Sequence, residues 1–261
     1  MSVEPSAQNG PLRVMQVIVG EPMGGAERFF VKLVSALSQR GLDQRVVIKT
    51  DENRAEELRR LGVEPLQLDF TKGLADLLAR FQLRRAAKAY QPHVINVWMD
   101  RAARRVPRGN YTVVGRLGGY YRLKHYRNCD WLIGNTPDLV EYMKAEGWPR
   151  NRAVMISNFG ELAPMPAVDR RDWETPDDAF LVVALGRLHK SKGFDILLDA
   201  IKDRSEVYVW LAGDGVERAA LSEKAVHLGI TDRVRFLGWR DDQAALLSAA
   251  DVCEVPSRHA P

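Results

Sequence analysis

Residues Leu181 to Ala200 read LVVALGRLHKSKGFDILLDA and decide the fold, because strand, glycine turn, basic loop and helix follow one another without a gap. Phe180 to Leu185 is a continuous apolar run rich in Val and Leu, the pattern of a strand covered on both faces of a parallel sheet. Gly186 interrupts it. From Phe194 onward, Phe194, Ile196, Leu197, Ala200 and Ile201 recur close to helical spacing, with Lys192 and Gly193 at the entrance. A helix N-terminus at the carboxyl end of a parallel strand offers unpaired N–H groups and partial positive charge, so the position suits a phosphate. Arg187 and Lys192 add two full charges. Two familiar phosphate motifs do not fit: no Gly-Lys-Ser/Thr closes a P-loop, and G-x-G-x-x-G is absent.

Downstream, Val207 to Ala212 (VYVWLA) reads as the next strand, followed by Gly213-Asp214-Gly215 and a helix over 217–228. Val234 to Leu237 is a third strand and 242–249 a helix; Val252 to Val255 is a fourth strand. Upstream, residues 160–178 carry Pro164, Pro166 and Pro176 with no apolar periodicity and read as an interdomain linker. Residues 1–159 then form an amino-terminal Rossmann-like domain and 179–261 a second one.

In the first domain, strands are expected at 13–19, 45–49, 63–68, 93–98, 112–117, 131–134 and 153–157. Helices are expected from Ala26 to Gly41, over 55–61, over 74–90 and after Thr136, with Thr136 as N-cap and Pro137 at the first helical position. Gly24 and Gly25 follow the first strand, where ligands bind in this architecture; a left-handed turn explains them equally well. Asp100 follows the fourth strand and is the candidate catalytic residue, able to meet a sugar hydroxyl or an attacking acceptor. As the N-cap of a helix starting at Arg101 it needs no chemistry, and the N-cap preference of Asp favours that reading. Gly118-Gly119-Tyr120-Tyr121 offers a second glycine turn with tyrosines that either stack on a sugar, face lipid or pack in the core.

The chain has 261 residues, 46% hydrophobic and 28% charged, which is ordinary globular composition with room for two domains. Cys129 and Cys253 are too few for a disulfide framework or zinc site and read as buried free thiols. With no spanning segment or signal-peptide core, a cytoplasmic protein is expected. The net charge of +4 is unevenly spread: residues 72–127 hold thirteen Lys and Arg against Asp76 and Asp100. That concentration favours an anionic glycolipid acceptor or an acidic membrane leaflet, giving peripheral contact through 72–127; without a nucleic-acid motif, nucleic acid is not expected.

G-R-L-x-x-x-K-G-F-D-x-L-L-x-A at 186–200 resembles the phosphate segment of the retaining, two-domain GT-B glycosyltransferases of family 4, the glycogen-synthase-like group. The resemblance implies an α/β fold of two doubly wound domains and a nucleoside diphosphate sugar donor whose diphosphate is held by Arg187 and Lys192 beside Gly186. M-G-G-A-E-R at 23–28 resembles the family's amino-domain glycine loop. L-A-G-D-G at 211–215 and V-x-F-L-G at 234–238 resemble segments approaching the base, which implies roles for Gly213, Asp214, Gly215, Phe236 and Leu237. D-x-D is absent, so no metal or other cofactor is expected. The implied reaction transfers a sugar, from UDP as the commonest carrier, to a lipid-linked saccharide or polysaccharide such as lipopolysaccharide core. A related epimerase on the same fold matches the phosphate segment less closely.

The family's A-D-V-x-x-x-P-S-x-x-E-P aligns with ADVCEVPSRHAP at 250–261, which places Ala260 where the family carries the first Glu of E-x7-E. The chain is therefore expected to lack that sugar-binding carboxylate, to hold an incomplete second domain with 252–255 as an exposed edge, and to be unstable there. This supports an alternative: an inactive, truncated remnant that binds nucleotide or membrane only.

Overall fold

The computed structural model describes residues 11–21, 24–160 and 163–258, so Ala260 lies outside the described residues. Two compact units divide the chain after Phe159.

The first unit runs β1 (Arg13–Ile18), α1 (Gly25–Gln39), β2 (Asp43–Lys49), α2 (Glu52–Arg60), β3 (Leu66–Leu68), α3 (Leu74–Tyr90), β4 (Val94–Trp98), α4 (Met99–Ala103), β5 (Thr112–Leu117), β6 (Trp131–Gly134), α5 (Pro137–Ala145) and β7 (Ala153–Met155). All seven strands are parallel, in the order β3-β2-β1-β4-β5-β6-β7. Strand order reverses between β1 and β4, and ligands of open α/β sheets bind outside the carboxyl ends at such a switch point. Both faces are covered. Met15, Val17, Ile95 and Val97 enter one core with Leu83 of α3, while Ile18, Val46 and Ile48 enter the other with Phe30 and Val34 of α1. Each such side chain contributes about 1.5–3 kcal/mol of burial.

Local chemistry sets the helix ends. The Asp51 side chain accepts the Arg54 N–H at 3.2 Å, so α2 begins at Glu52, three residues before the apolar pattern suggests. Thr136 Oγ1 accepts the Leu139 N–H at 3.2 Å, with Pro137 opening α5, as the sequence reading has it.

The second unit runs β8 (Phe180–Leu185), α6 (Phe194–Ile201), β9 (Val207–Ala212), α7 (Arg218–His227), β10 (Val234–Gly238), α8 (Gln243–Ala249) and β11 (Val252–Cys253). Its described strands are parallel, in the order β10-β9-β8-β11, which puts the switch point between β8 and β11. β11 is the edge. Cys253 is consequently exposed, against the expectation of two buried thiols, while Cys129 is buried.

The expected linker over 160–178 is shorter than its composition suggests. The Val168 N–H reaches Ala245 O at 3.2 Å, and residues 170–173 form a 3-10 turn whose Trp173 packs on Trp210. Thr175 is buried and accepts the Trp210 indole N–H at 2.9 Å. The Arg170 guanidinium satisfies the carbonyls of Ala179 and Ala249 and pairs with Asp251 at 3.0 Å. An extended segment held by polar groups carries no helical or strand period, which is why composition misreads it.

Candidate active site

In the second unit the loops after β8, β9 and β10 are stitched together by backbone hydrogen bonds. Gly186 N–H reaches Ala212 O at 2.9 Å, Gly213 N–H reaches Gly238 O at 2.7 Å, and Leu188 N–H reaches Asp214 O at 2.9 Å. Approach is so close that a Cβ on Gly213 would lie 1.8 Å from Gly186 O, and one on Gly215 would lie 2.3 Å from Leu188 O. These two glycines are therefore explained by loop-to-loop packing. Asp214 is exposed, and its carboxylate accepts the Gly215 N–H at 2.8 Å.

The basic loop is built on this platform. Leu188 is fully buried and anchors it, leaving Arg187 exposed on one side. Residues 190–192 make a 3-10 turn whose entry is held by His189 Nδ1, which accepts the Ser191 N–H at 3.2 Å. Lys192 then folds back over Gly186, its Cε 4.0 Å from where a Cβ would stand. Gly193, at φ 68°, precedes α6 without a side-chain cap, and a Cβ there would meet Pro256 O at 2.0 Å. The segment after β11 thus lies on the basic loop, at the switch point. Arg258 ties it down by donating to Lys190 O at 2.7 Å and to both Asp195 oxygens at 2.6 and 2.7 Å. Those bonds hold the Asp195 carboxyl below its usual range.

Phe236 lies half-buried on β10 with the Arg218 guanidinium over its ring at 5.8 Å. Leu237 is different. Its side chain is buried among Leu181, Val183, Trp210 and Leu246, so only its backbone can approach a ligand.

In the first unit the switch point brings the turn before α1 to the residues that follow β4 and β5, Arg101 pairing with Glu21 and Gly118 lying near Ala26. Neither Gly24 nor Gly25 has a left-handed φ, so the left-handed turn is not what requires them. A Cβ on Gly25 would meet nothing within 4 Å. Gly118 approaches this turn, its Cβ position 3.8 Å from Ala26 Cβ.

Asp100 is not the N-cap. The helix begins two residues before the expected Arg101, at Met99, and Asp100 sits in its first turn with Oδ2 3.1 Å from both Arg104 Nη2 and His125 Nδ1. Tyr121 stands beside this group, its hydroxyl pKa pushed up by burial and by the charges of Asp100 and Glu27. Tyr120 packs edge-on against Tyr142, with ring centroids 5.2 Å apart.

Four features escaped the sequence reading. Glu27 is buried, accepts the Glu21 N–H at 2.9 Å and leaves no room for a side chain at Gly20, where a Cβ would lie 2.6 Å from its Oε1. Met99 holds a left-handed φ of 60°, a strained conformation for a long side chain, immediately before Asp100. Arg116 is buried in β5, donates to Ile156 O and Asn158 Oδ1 at 2.9 Å each, and stacks on Phe29 and Trp98. Desolvation depresses its pKa. Arg258 is the fourth. A lone Arg inside an apolar strand was the one legible signal, at Arg116; the others depend on contacts remote in sequence.

Among the described residues, no three His, Cys, Asp or Glu side chains converge on a metal site. Residues 23–162 match the model of Glycosyltransferase Family 4, and residues 179–261 match that of Glycosyl transferases group 1. The chain belongs to glycosyltransferase family 4. This family 4 transferase is 39% identical to the lipopolysaccharide core biosynthesis glycosyltransferase LpsD of Rhizobium meliloti over 253 residues, 96% of this chain and 73% of the relative. LpsE of the same organism is also 39% identical, over 91% of this chain and 70% of its own length. Among solved structures, Anabaena Alr3699/HepE in complex with UDP superposes with a TM-score of 0.76 at 18% identity, covering 95% of this chain and 75% of that one. That likeness establishes the GT-B fold of the transferase.

Proposed function

We propose that this glycosyltransferase moves a sugar, with retention and without a metal, from a UDP-sugar to a lipid-linked saccharide of the lipopolysaccharide core type. The observation that carries the reading is the loop after β8, where Lys192 folds over Gly186 beside exposed Arg187 and the uncapped start of α6. Departure of the nucleoside diphosphate concentrates negative charge on the leaving oxygens. Fixed cations and helix N–H groups stabilise that charge without the divalent ion that other transferases use. The acceptor follows from LpsD and LpsE, whose names assign them to lipopolysaccharide core biosynthesis. UDP is supported by the complex of the Anabaena protein. Such an acceptor is anchored at a membrane, in keeping with the excess of Lys and Arg over residues 72–127, so the transferase works in peripheral contact with an anionic leaflet. Within the first unit, the open space around Gly25 leaves its backbone available to the acceptor, and Asp100 is the candidate carboxylate there.

The test is UDP release from candidate UDP-sugars in the presence of core oligosaccharide, with the anomeric configuration of the product read by NMR. Arg187→Ala and Lys192→Ala should each weaken UDP binding by roughly ten- to a hundredfold, the value of a charge-assisted hydrogen bond. Unchanged UDP affinity and turnover in both variants would remove the assignment. A second reading, a nucleotide-binding protein that transfers nothing, is favoured by Ala260 at the position where the resemblance expects Glu. Acceptor-dependent UDP release by the wild-type chain excludes it.

A further inference from the structure

Helix α3 has two opposed faces. Taking 100° per residue, buried Asp76, Ala79, Leu83 and Ala87 occupy one arc facing the sheet. Leu74, Leu77, Leu78, Phe81, Arg84, Arg85 and Lys88 share another, about 120° wide, on the far side. On that outer arc Leu74 is 79% exposed, Leu77 and Leu78 62% and Phe81 66%. Single exposed leucines are ordinary, but four large apolar groups at i, i+3, i+4 and i+7 form a continuous stripe that water solvates poorly.

From Arg84 the same stripe turns cationic and runs into a pocket of about 910 Å³ at the amino-terminal edge of the first sheet. That edge is opposite the carboxyl ends where Gly24 and Asp100 stand. Arg84 and Lys88 of α3, Arg13 of β1 and Arg108 line the pocket, and Asp130 is the one carboxylate among the described lining residues. Asp130 is occupied by the Val113 N–H at 2.8 Å. Arg13 donates Nε to Gln91 O, and Arg108 donates to Arg127 O, so both spend part of their donor capacity on backbone. Arg84, Arg85 and Lys88 form no ion pair among the described residues, unlike Arg80 and Arg105, which share Asp76. Apolar surface and uncompensated positive charge therefore adjoin along one helix, about 21 Å from Leu74 to Lys88.

We propose that α3 is an interfacial helix whose apolar stripe enters the acyl boundary of an anionic phospholipid bilayer while the basic pocket receives a lipid headgroup phosphate. Charge complementarity selects this occupant. A protein partner would cover the leucines, yet it would need a dense acidic surface to match the cations beyond them, whereas an anionic leaflet supplies both acyl chains and phosphates. No described helix is long and apolar enough to cross a membrane, and the outer arc of α3 is exposed from Leu74 to Lys88. This assignment rests on the membrane-located acceptor proposed above and narrows the contact to one helix and one pocket.

The experiment is co-sedimentation of the full chain with vesicles of phosphatidylglycerol and phosphatidylcholine, and with phosphatidylcholine alone, at low and high salt. Wild type should bind the anionic vesicles and release partly in salt. Leu77→Ser/Phe81→Ser should weaken partitioning about a hundredfold or more, and Arg84→Ala/Lys88→Ala on the order of thirtyfold. Arg84→Lys/Lys88→Arg should retain binding. All these positions are exposed, so urea unfolding should match wild type and exclude misfolding as the cause. Arg122→Ala/Lys124→Ala, in the same basic segment but off α3, should change binding less than the α3 pair. If wild type binds and the α3 variants bind equally well, the α3 assignment is overturned while the membrane reading stands. If wild type does not bind anionic vesicles, both fail.

Discussion

Gly213→Ala is the most direct probe of how the second unit holds the basic loop after β8. The added methyl would stand 1.8 Å from Gly186 O and 2.8 Å from Gly186 C, against backbone that cannot swing aside as a flexible side chain would. Relief requires the β8 and β9 loops to part by more than an ångström. That movement breaks the Gly213–Gly238 and Gly186–Ala212 hydrogen bonds of 2.7 and 2.9 Å. Each contributes about 1 kcal/mol. The backbone at φ 153° is one that an L residue adopts only under strain, which costs another 1–3 kcal/mol or so. The expected loss is about 3–5 kcal/mol for the second unit, and UDP affinity, proposed to depend on Arg187 of the displaced loop, should fall. Urea unfolding followed by tryptophan fluorescence measures the first, since Trp210 is fully buried in this sheet. Calorimetric titration with UDP measures the second. A variant within about 1 kcal/mol of wild type with unaltered UDP affinity would refute the claim that loop packing requires this glycine.

Gly25→Ala should behave in the opposite way. It opens α1 with clear space around its Cβ position, so stability should hold or rise by a few tenths of a kcal/mol while transfer activity falls; loss of stability would show that the turn, not a ligand, needs the glycine. Arg258→Ala should loosen the segment after β11. Because Arg258 depresses the Asp195 pKa, the pair stabilises above the unfolded carboxylate value of about 4 and its contribution disappears as pH falls through the depressed value. The gap in urea midpoint between variant and wild type should therefore shrink from pH 7 toward pH 3, and a constant gap would count against the pair. Cys253 should take one equivalent of maleimide in the native protein. Cys129, buried with its thiol pushed up to about 12, should react only in denaturant; two equivalents under native conditions would contradict its burial.

The two-domain α/β fold was legible because parallel strands covered on both faces leave apolar runs that need no partner to be recognised. Phe180–Leu185 and Val207–Ala212 are strands with the bounds the sequence implies. The course of the basic loop after β8 was legible for a related reason: the residues from Gly186 to Gly193 are consecutive, so local backbone alone carries Lys192 back over Gly186. What the sequence left open depends on groups far apart in the chain. Gly213 reads as a simple turn until Gly186 O is seen against it, and Asp100 reads as a cap until helix α4 starts at Met99 and His125 arrives beside the carboxylate. Residues 168–176 read as linker because hydrogen bonds to Ala245 and Trp210 leave no period. The charge of 72–127 was visible as a sum, but only the fold set the buried arc of α3 apart from its exposed stripe and gathered Arg13 and Arg108 beside Arg84. Sequence records what a residue is and what its neighbours within a turn or a strand are; contact across a sheet edge is fixed only when the chain closes.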